Sequence, residues 1–265
     1  MKAHRPHGIG PTTWEANILK IRAFEMMLVL FYMEDLKRFV IRSIQVTDQM
    51  RGVNRLDIDK SKSNEGKKVD RACLALVSEG VISQAESDEL KQLVDYRNLI
   101  GHQIHDLTVD IGIYSDLTLF KPIPAYDYLA AKRAEKLRQK VSEGMAKKFV
   151  ISGSFSSLAF EVAEKTYVAE IERLKRRVNK SITQSNKVIS ETNSVIRAIP
   201  RSVMESAQPD HPKNTKTNGT LSKHGVNCIF QLFEAQATPL AVAYMMRISH
   251  RAAMNWYKKW KPSKV

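Results

Sequence analysis

Cysteine is scarce in this chain. Cys73 and Cys228 are its only two in 265 residues, too few and too far apart for a disulfide framework. That fits a reducing compartment. Long apolar runs are missing as well. The longest uncharged apolar run, residues 26–33, is closed at its ends by Glu25 and Glu34. It falls far short of the about 20 residues that a membrane helix needs. The basic start MKAHRPHGIG is not followed by an apolar stretch, so no signal peptide is expected. These absences predict a soluble, cytoplasmic protein with no membrane partner.

Negative charge is the next deficit. The net charge is +14, and it is unevenly placed. Residues 1–130 hold 17 Lys and Arg against 18 Asp and Glu, a net of −1. Residues 131–180 carry a net of +7, and residues 200–265 another +7. Two basic segments of this kind suit phosphate backbones. Charge by itself is met equally by a solvated basic surface.

Apolar spacing predicts a mainly α protein. Steps of three and four residues over 14–44 give a long helix, apolar nearly all round in its middle and therefore central or at an interface. A loop over 51–68 precedes a helix over 69–78, which Glu79-Gly80 ends. A third helix starts near Ser83 or Ser87 and stops around Gly101. Alternation at Leu107, Val109, Ile111 and Ile113 predicts a short strand, and residues 148–154 a second that pairs with it. Lys121-Pro122-Ile123-Pro124 reads as a loop, residues 126–146 as a helix, and residues 156–199 as a long one. Residues 200–222 have linker composition. No internal repeat stands out. The expected organisation is a helical domain over 1–199, a linker over 200–222 and a small domain over 223–265.

Within the third helix, Arg97-Asn98-Leu99-Ile100-Gly101-His102 joins a permanent cation to a titratable imidazole. Arg grips phosphate at any biological pH, and His exchanges a proton near neutrality. RNA carries its own nucleophile, the 2′-hydroxyl. A base must remove its proton, an acid must protonate the 5′ leaving oxygen, and a cation must steady the phosphorane. His serves the proton steps and Arg the electrostatic one. Asn98 is placed to orient the imidazole or hold a phosphate oxygen. Arg97 and His102 lie five apart, roughly 140° on an ideal helix. They converge on one ligand if the last turn opens at Gly101, or if two subunits meet. His102, His105 and Asp106 lack the ligand set of a zinc site, so no metal and no cofactor is expected.

The string LALVSEGVISQAESDELKQLVDYRNLIGH resembles the HEPN family, in which a helical bundle ends in Arg-Asn-x-x-x-His. The likeness covers about residues 14–107 and includes the order of helices before the motif. It implies a metal-independent endoribonuclease of toxin or antiviral-defence type and a homodimer with RNA as substrate, while the sequence identifies no neutralising partner. Carried over, Arg97, Asn98 and His102 are the catalytic residues. A subgroup of the family is silenced on a Tyr two residues after the His. That position is Ile104 here, which argues against such a scheme.

Residues 226–260 resemble a helix-turn-helix. Thr238 caps a second helix with Pro239 at its first position. Arg247-Ile248-Ser249 forms the turn and Ser249 caps a third helix. Arg247 stands where such turns usually have Gly, which predicts a less sharp turn. His250, Arg251, Asn255, Lys258 and Lys259 are the expected nucleic-acid contacts, with DNA or RNA as partner. The fold expected is therefore a HEPN-like bundle with a small β hairpin insertion and a long helix, plus a tri-helical helix-turn-helix domain. The other reading is a non-catalytic dimeric DNA-binding regulator.

Overall fold

The longest apolar run of the sequence lies in mid-helix, and the first of two units is built around it. The computed structural model describes residues 11–56, 65–111, 124–153 and 155–261. The chain divides at Met1–Asn179 and Lys180–Val265.

In the first unit, α1 (Thr13–Arg51) is held at its start by a capping box between Thr12 and Glu15. It is central, as its pattern predicts. Met26, Leu28, Val29, Tyr32, Met33 and Leu36 point in several directions and are all buried. Helices α2 (Glu65–Ser78), α3 (Gln84–Gln103) and α4 (Ala130–Ala146) pack against it. Gly80 ends the α2 segment in the left-handed region at φ 65°, a conformation in which a Cβ is penalised. Ser83, not Ser87, caps α3: its hydroxyl accepts from the Glu86 N–H, while Ser87 is buried inside the helix. The first half of α5 (Phe155–Ala198) adds Ile171, Leu174 and Val178 to the same core.

The expected β hairpin is not found among the described residues. The segment 104–111 is a chain of turns, closed by bonds such as Leu107 N–H to the Ile104 carbonyl and Thr108 N–H to the His105 carbonyl. Leu107 is buried, and its carbonyl accepts from Arg22 of α1 at 2.8 Å. Two-residue alternation loses to this anchor, with no strand alongside it among the described residues. Ile113 and the loop at 121–123 fall outside the described residues. The second expected strand is a loop pinned along α1. The Thr47 hydroxyl accepts from the Val150 N–H at 2.9 Å, and the Ser43 hydroxyl from the Ser152 N–H at 3.1 Å. Two side chains of a helix thus replace the missing strand partner.

The second unit corrects the linker expectation. Residues 200–222 carry α6 (Arg201–Ala207), a 3-10 turn (Pro212–Asn214) and a bridge between Thr215 and Leu221. They pack on α7 (Lys223–Glu234). The polar composition is used internally. Asn214 is buried and donates to the carbonyls of Gln208 and Pro209. At Gly225 a Cβ would meet the Asn214 carbonyl oxygen at 2.3 Å, so only glycine lets this segment dock. Helices α8 (Pro239–Met245) and α9 (His250–Trp260) complete the unit around Ile229, Leu232, Phe233, Val242 and Ala253.

Candidate functional site

Helix α3 brings Arg97, Asn98 and His102 to its last two turns but does not converge Arg97 and His102. The helix stays regular to Gln103, so no opening occurs at Gly101. Arg97 falls in the inward seam between Leu93 and Ile100, both fully buried. Its guanidinium is 36% exposed, and donates to Glu34 of α1 at 3.2 Å and to the Asn98 side-chain oxygen at 3.2 Å. Asn98 and His102 are exposed, four apart on one face. One chain therefore presents an imidazole and an amide side by side, with the cation set inward.

Glu34 is the site residue that the sequence reading passed over. Its signal is a carboxylate closing the apolar run of a central helix. It also accepts from Arg38 at 3.0 Å, so it bridges two guanidinium groups. His105 lies 3.3 Å from Asp106 just beyond the helix. Among the described residues no group of three His, Cys, Asp or Glu side chains is placed to hold a metal ion.

In the second unit the caps fall where the sequence predicts. Thr238 accepts from the Ala241 N–H and Ser249 from the Ala252 N–H. The turn between α8 and α9 is made as glycine would make it, with Arg247 at φ 53°. Packing holds it there: the Ile248 N–H donates to the Ala243 carbonyl at 3.0 Å. The inner face of α9 is apolar, with Ala253 buried and Trp256 and Tyr257 against Phe230 and Phe233. His250, Arg251, Asn255, Lys258 and Lys259 are all exposed. Arg251, Asn255, Lys258 and Lys259 share one side at steps of four, seven and eight. Lys259 rests its ammonium 4.4 Å from the Trp256 ring centre. No Asp or Glu occurs after Glu234.

Tyr244 of α8 and Arg247 of the turn are exposed as well. Tyr244 and Arg247 line an open cleft of about 870 Å³ with Asp210 and His211, and Arg247 lies 3.6 Å from Asp210. Both side chains are largely in solvent, so that ion pair contributes little.

No protein-family model, curated protein or solved structure matches the chain.

Proposed function

We propose that the chain is a dimeric, metal-independent endoribonuclease with an appended nucleic-acid-binding unit, of the toxin or antiviral-defence kind that the HEPN resemblance implies. The observation that carries this is the end of α3: an exposed His102 beside an exposed Asn98, with Arg97 bonded to that Asn98 and steadied by Glu34. A guanidinium has five N–H donors. Arg97 thus keeps an edge for a phosphate oxygen while Glu34 fixes its position. Two copies of this helix end, brought together, supply two imidazoles on one phosphodiester. One takes the 2′-hydroxyl proton as base, and the other protonates the 5′ leaving oxygen. The arginines offset the charge of the phosphorane. The product ends are a 2′,3′-cyclic phosphate and a 5′-hydroxyl.

The test incubates wild type, Arg97→Ala and His102→Ala with total RNA in the presence of a chelator. Cleavage by wild type alone, with cyclic phosphate ends, supports the reading. Cleavage by His102→Ala at the wild-type rate overturns it, since an exposed side chain can be removed without unfolding the bundle.

A second reading is a non-catalytic dimeric DNA-binding regulator. The acid-free exposed face of α9 favours it, as does the neutralisation of Arg97 by Glu34. It expects duplex binding that weakens steeply with salt, log K falling by about 0.9 per phosphate contact for each decade. Arg251→Ala with Lys258→Ala should abolish that binding. Survival of binding in the double variant removes this reading.

A further inference from the structure

One stripe of α1 is exposed between two helices of the first unit. Lys20, Ala23 and Met27 are exposed at steps of three and four, which sets them on one side of the helix. Glu34 follows seven residues after Met27 on that side, and there it meets Arg97 of α3. On the neighbouring side Phe24 and Phe31 stack on Tyr167 and Phe160 of α5. The stripe thus runs between the end of α3 and α5. From Lys20 to Glu34 it is about 21 Å long at 1.5 Å per residue.

Both flanking helices run antiparallel to α1. Glu34 meets Arg97, and Arg22 meets the Leu107 carbonyl. Tyr32 meets Glu164, and Glu25 meets Lys175. The last turn of α3, with His102, and the turns of α5 around Arg173 therefore reach the same half of α1.

The cations of residues 131–180 divide once their partners are known. On α4, Arg133 pairs with Asp127, Arg138 with Asp35 and Lys140 with Glu86, so these brace the bundle. On α5 four cations fall in five residues, Arg173, Lys175, Arg176 and Arg177, and no Asp or Glu follows until Glu191. Lys175 pairs with the buried Glu25, and Arg173 with Glu170. Arg177 lies four residues after Arg173 on the same side of α5. Neither Arg177 nor Lys20 has an ion pair among the described residues. Hydrogen bonds from Arg173 hold the Glu170 carboxyl below the usual carboxylate range, against a smaller effect of burial, and the charges of Arg177 and Lys20 add to the lowering. Lys20 is therefore close to this part of α5. Three exposed cations share one carboxylate at the edge of the stripe.

We propose that this edge, Lys20 with Arg173 and Arg177, seats the backbone of a single RNA strand beside the phosphate that His102 addresses. The proposal rests on the nuclease reading and says where its substrate lies. Guanidinium forks suit phosphate oxygens, and the exposed Met27 and Ala23 give bases an apolar floor. In-line attack by the 2′-hydroxyl needs a strand free to rotate at that phosphate, which a duplex does not allow. An acidic protein surface would be served by the cations but would have no use for a stripe that leads to the end of α3.

The experiment measures binding of a fluorescein-labelled single-stranded RNA to the full chain by anisotropy over a range of salt. The reference protein carries His102→Ala to block cleavage, and Arg251→Ala with Lys258→Ala so that α9 does not mask the first unit. Adding Lys20→Gln and Arg177→Gln should weaken binding about tenfold or more at low salt. The slope of log K against log salt should fall by about 1.4, at about 0.7 per phosphate contact on a single strand. Lys132→Gln with Lys136→Gln removes the same charge from exposed sites on α4 and should leave the slope unchanged. An unchanged slope in the Lys20 and Arg177 variant overturns the proposal, as does an equal fall in the α4 variant or an equal loss on duplex DNA. In the otherwise native chain, Lys20→Gln with Arg177→Gln should raise KM for cleavage far more than it lowers kcat. Cleavage with an unmoved KM sinks the seat alone. A protein that binds RNA through these cations but never cuts it sinks the nuclease and leaves the seat standing.

Discussion

Arg22 shows how one residue can settle a segment. It is 2% exposed, and it bonds the Asp110 carboxylate twice, the Leu107 carbonyl and the Tyr128 hydroxyl. Replacing it by Met leaves these acceptors unserved and should lower stability by about 2–3 kcal/mol, measured by denaturant unfolding. Hydrogen bonds from Arg22 hold the Asp110 carboxyl below the usual carboxylate range, against a smaller opposing effect of burial. Asp110 therefore adds stability in full above its unfolded pKa of about 3.9. That stability is lost as pH falls through the lower folded value. Asp110→Asn should flatten the acid limb of a stability–pH curve, and an unchanged limb would show that Arg22 does not hold this carboxylate. Burial alone pushes the Cys228 thiol up to about 11. An alkylating reagent at neutral pH should label it only when the second unit opens.

Among elements, the α8–α9 turn is the clearest case of tertiary structure overruling residue preference. Arg247 adopts the left-handed conformation usual for glycine, at a cost of roughly 1–2 kcal/mol. Arg247→Gly should thus raise the melting temperature of the second unit, by about 1 kcal/mol in stability. It should also weaken nucleic-acid binding if this exposed cation meets phosphate. Ser249 and Thr238 were legible as caps because capping is local chemistry. The expected hairpin is not found among the described residues, for the opposite reason. A strand needs a neighbour, and what lies beside residues 148–153 is α1 with its Ser43 and Thr47 hydroxyls. No spacing within 148–154 encodes that.

At the scale of the molecule there are two separate cores, one on either side of residue 179. Thermal unfolding should show two transitions rather than one. Gly225→Ala should lower only the transition of the second unit, because its Cβ collides with Asn214 there. A single cooperative transition would mean that the cores melt as one. The basic balance also belongs to this scale. The residues that hold the Arg-to-His stretch are near neutral, and the excess of cations lies after residue 130. Affinity for a polyanion is then expected to come from other parts of the chain than the end of α3.

By itself the sequence determined the helices outside residues 200–222, the caps at Thr238 and Ser249, and the long central α1. Apolar period and capping act within a few residues and need no partner. It also marked Arg97, Asn98 and His102 on one helix, and the exposed cations of α9. The tertiary structure alone decided that Arg97 turns inward to Glu34 of α1, since a pair 63 residues apart has no local signal. It alone decided that residues 200–222 are folded, because their polar side chains find backbone partners only once α7 is in place.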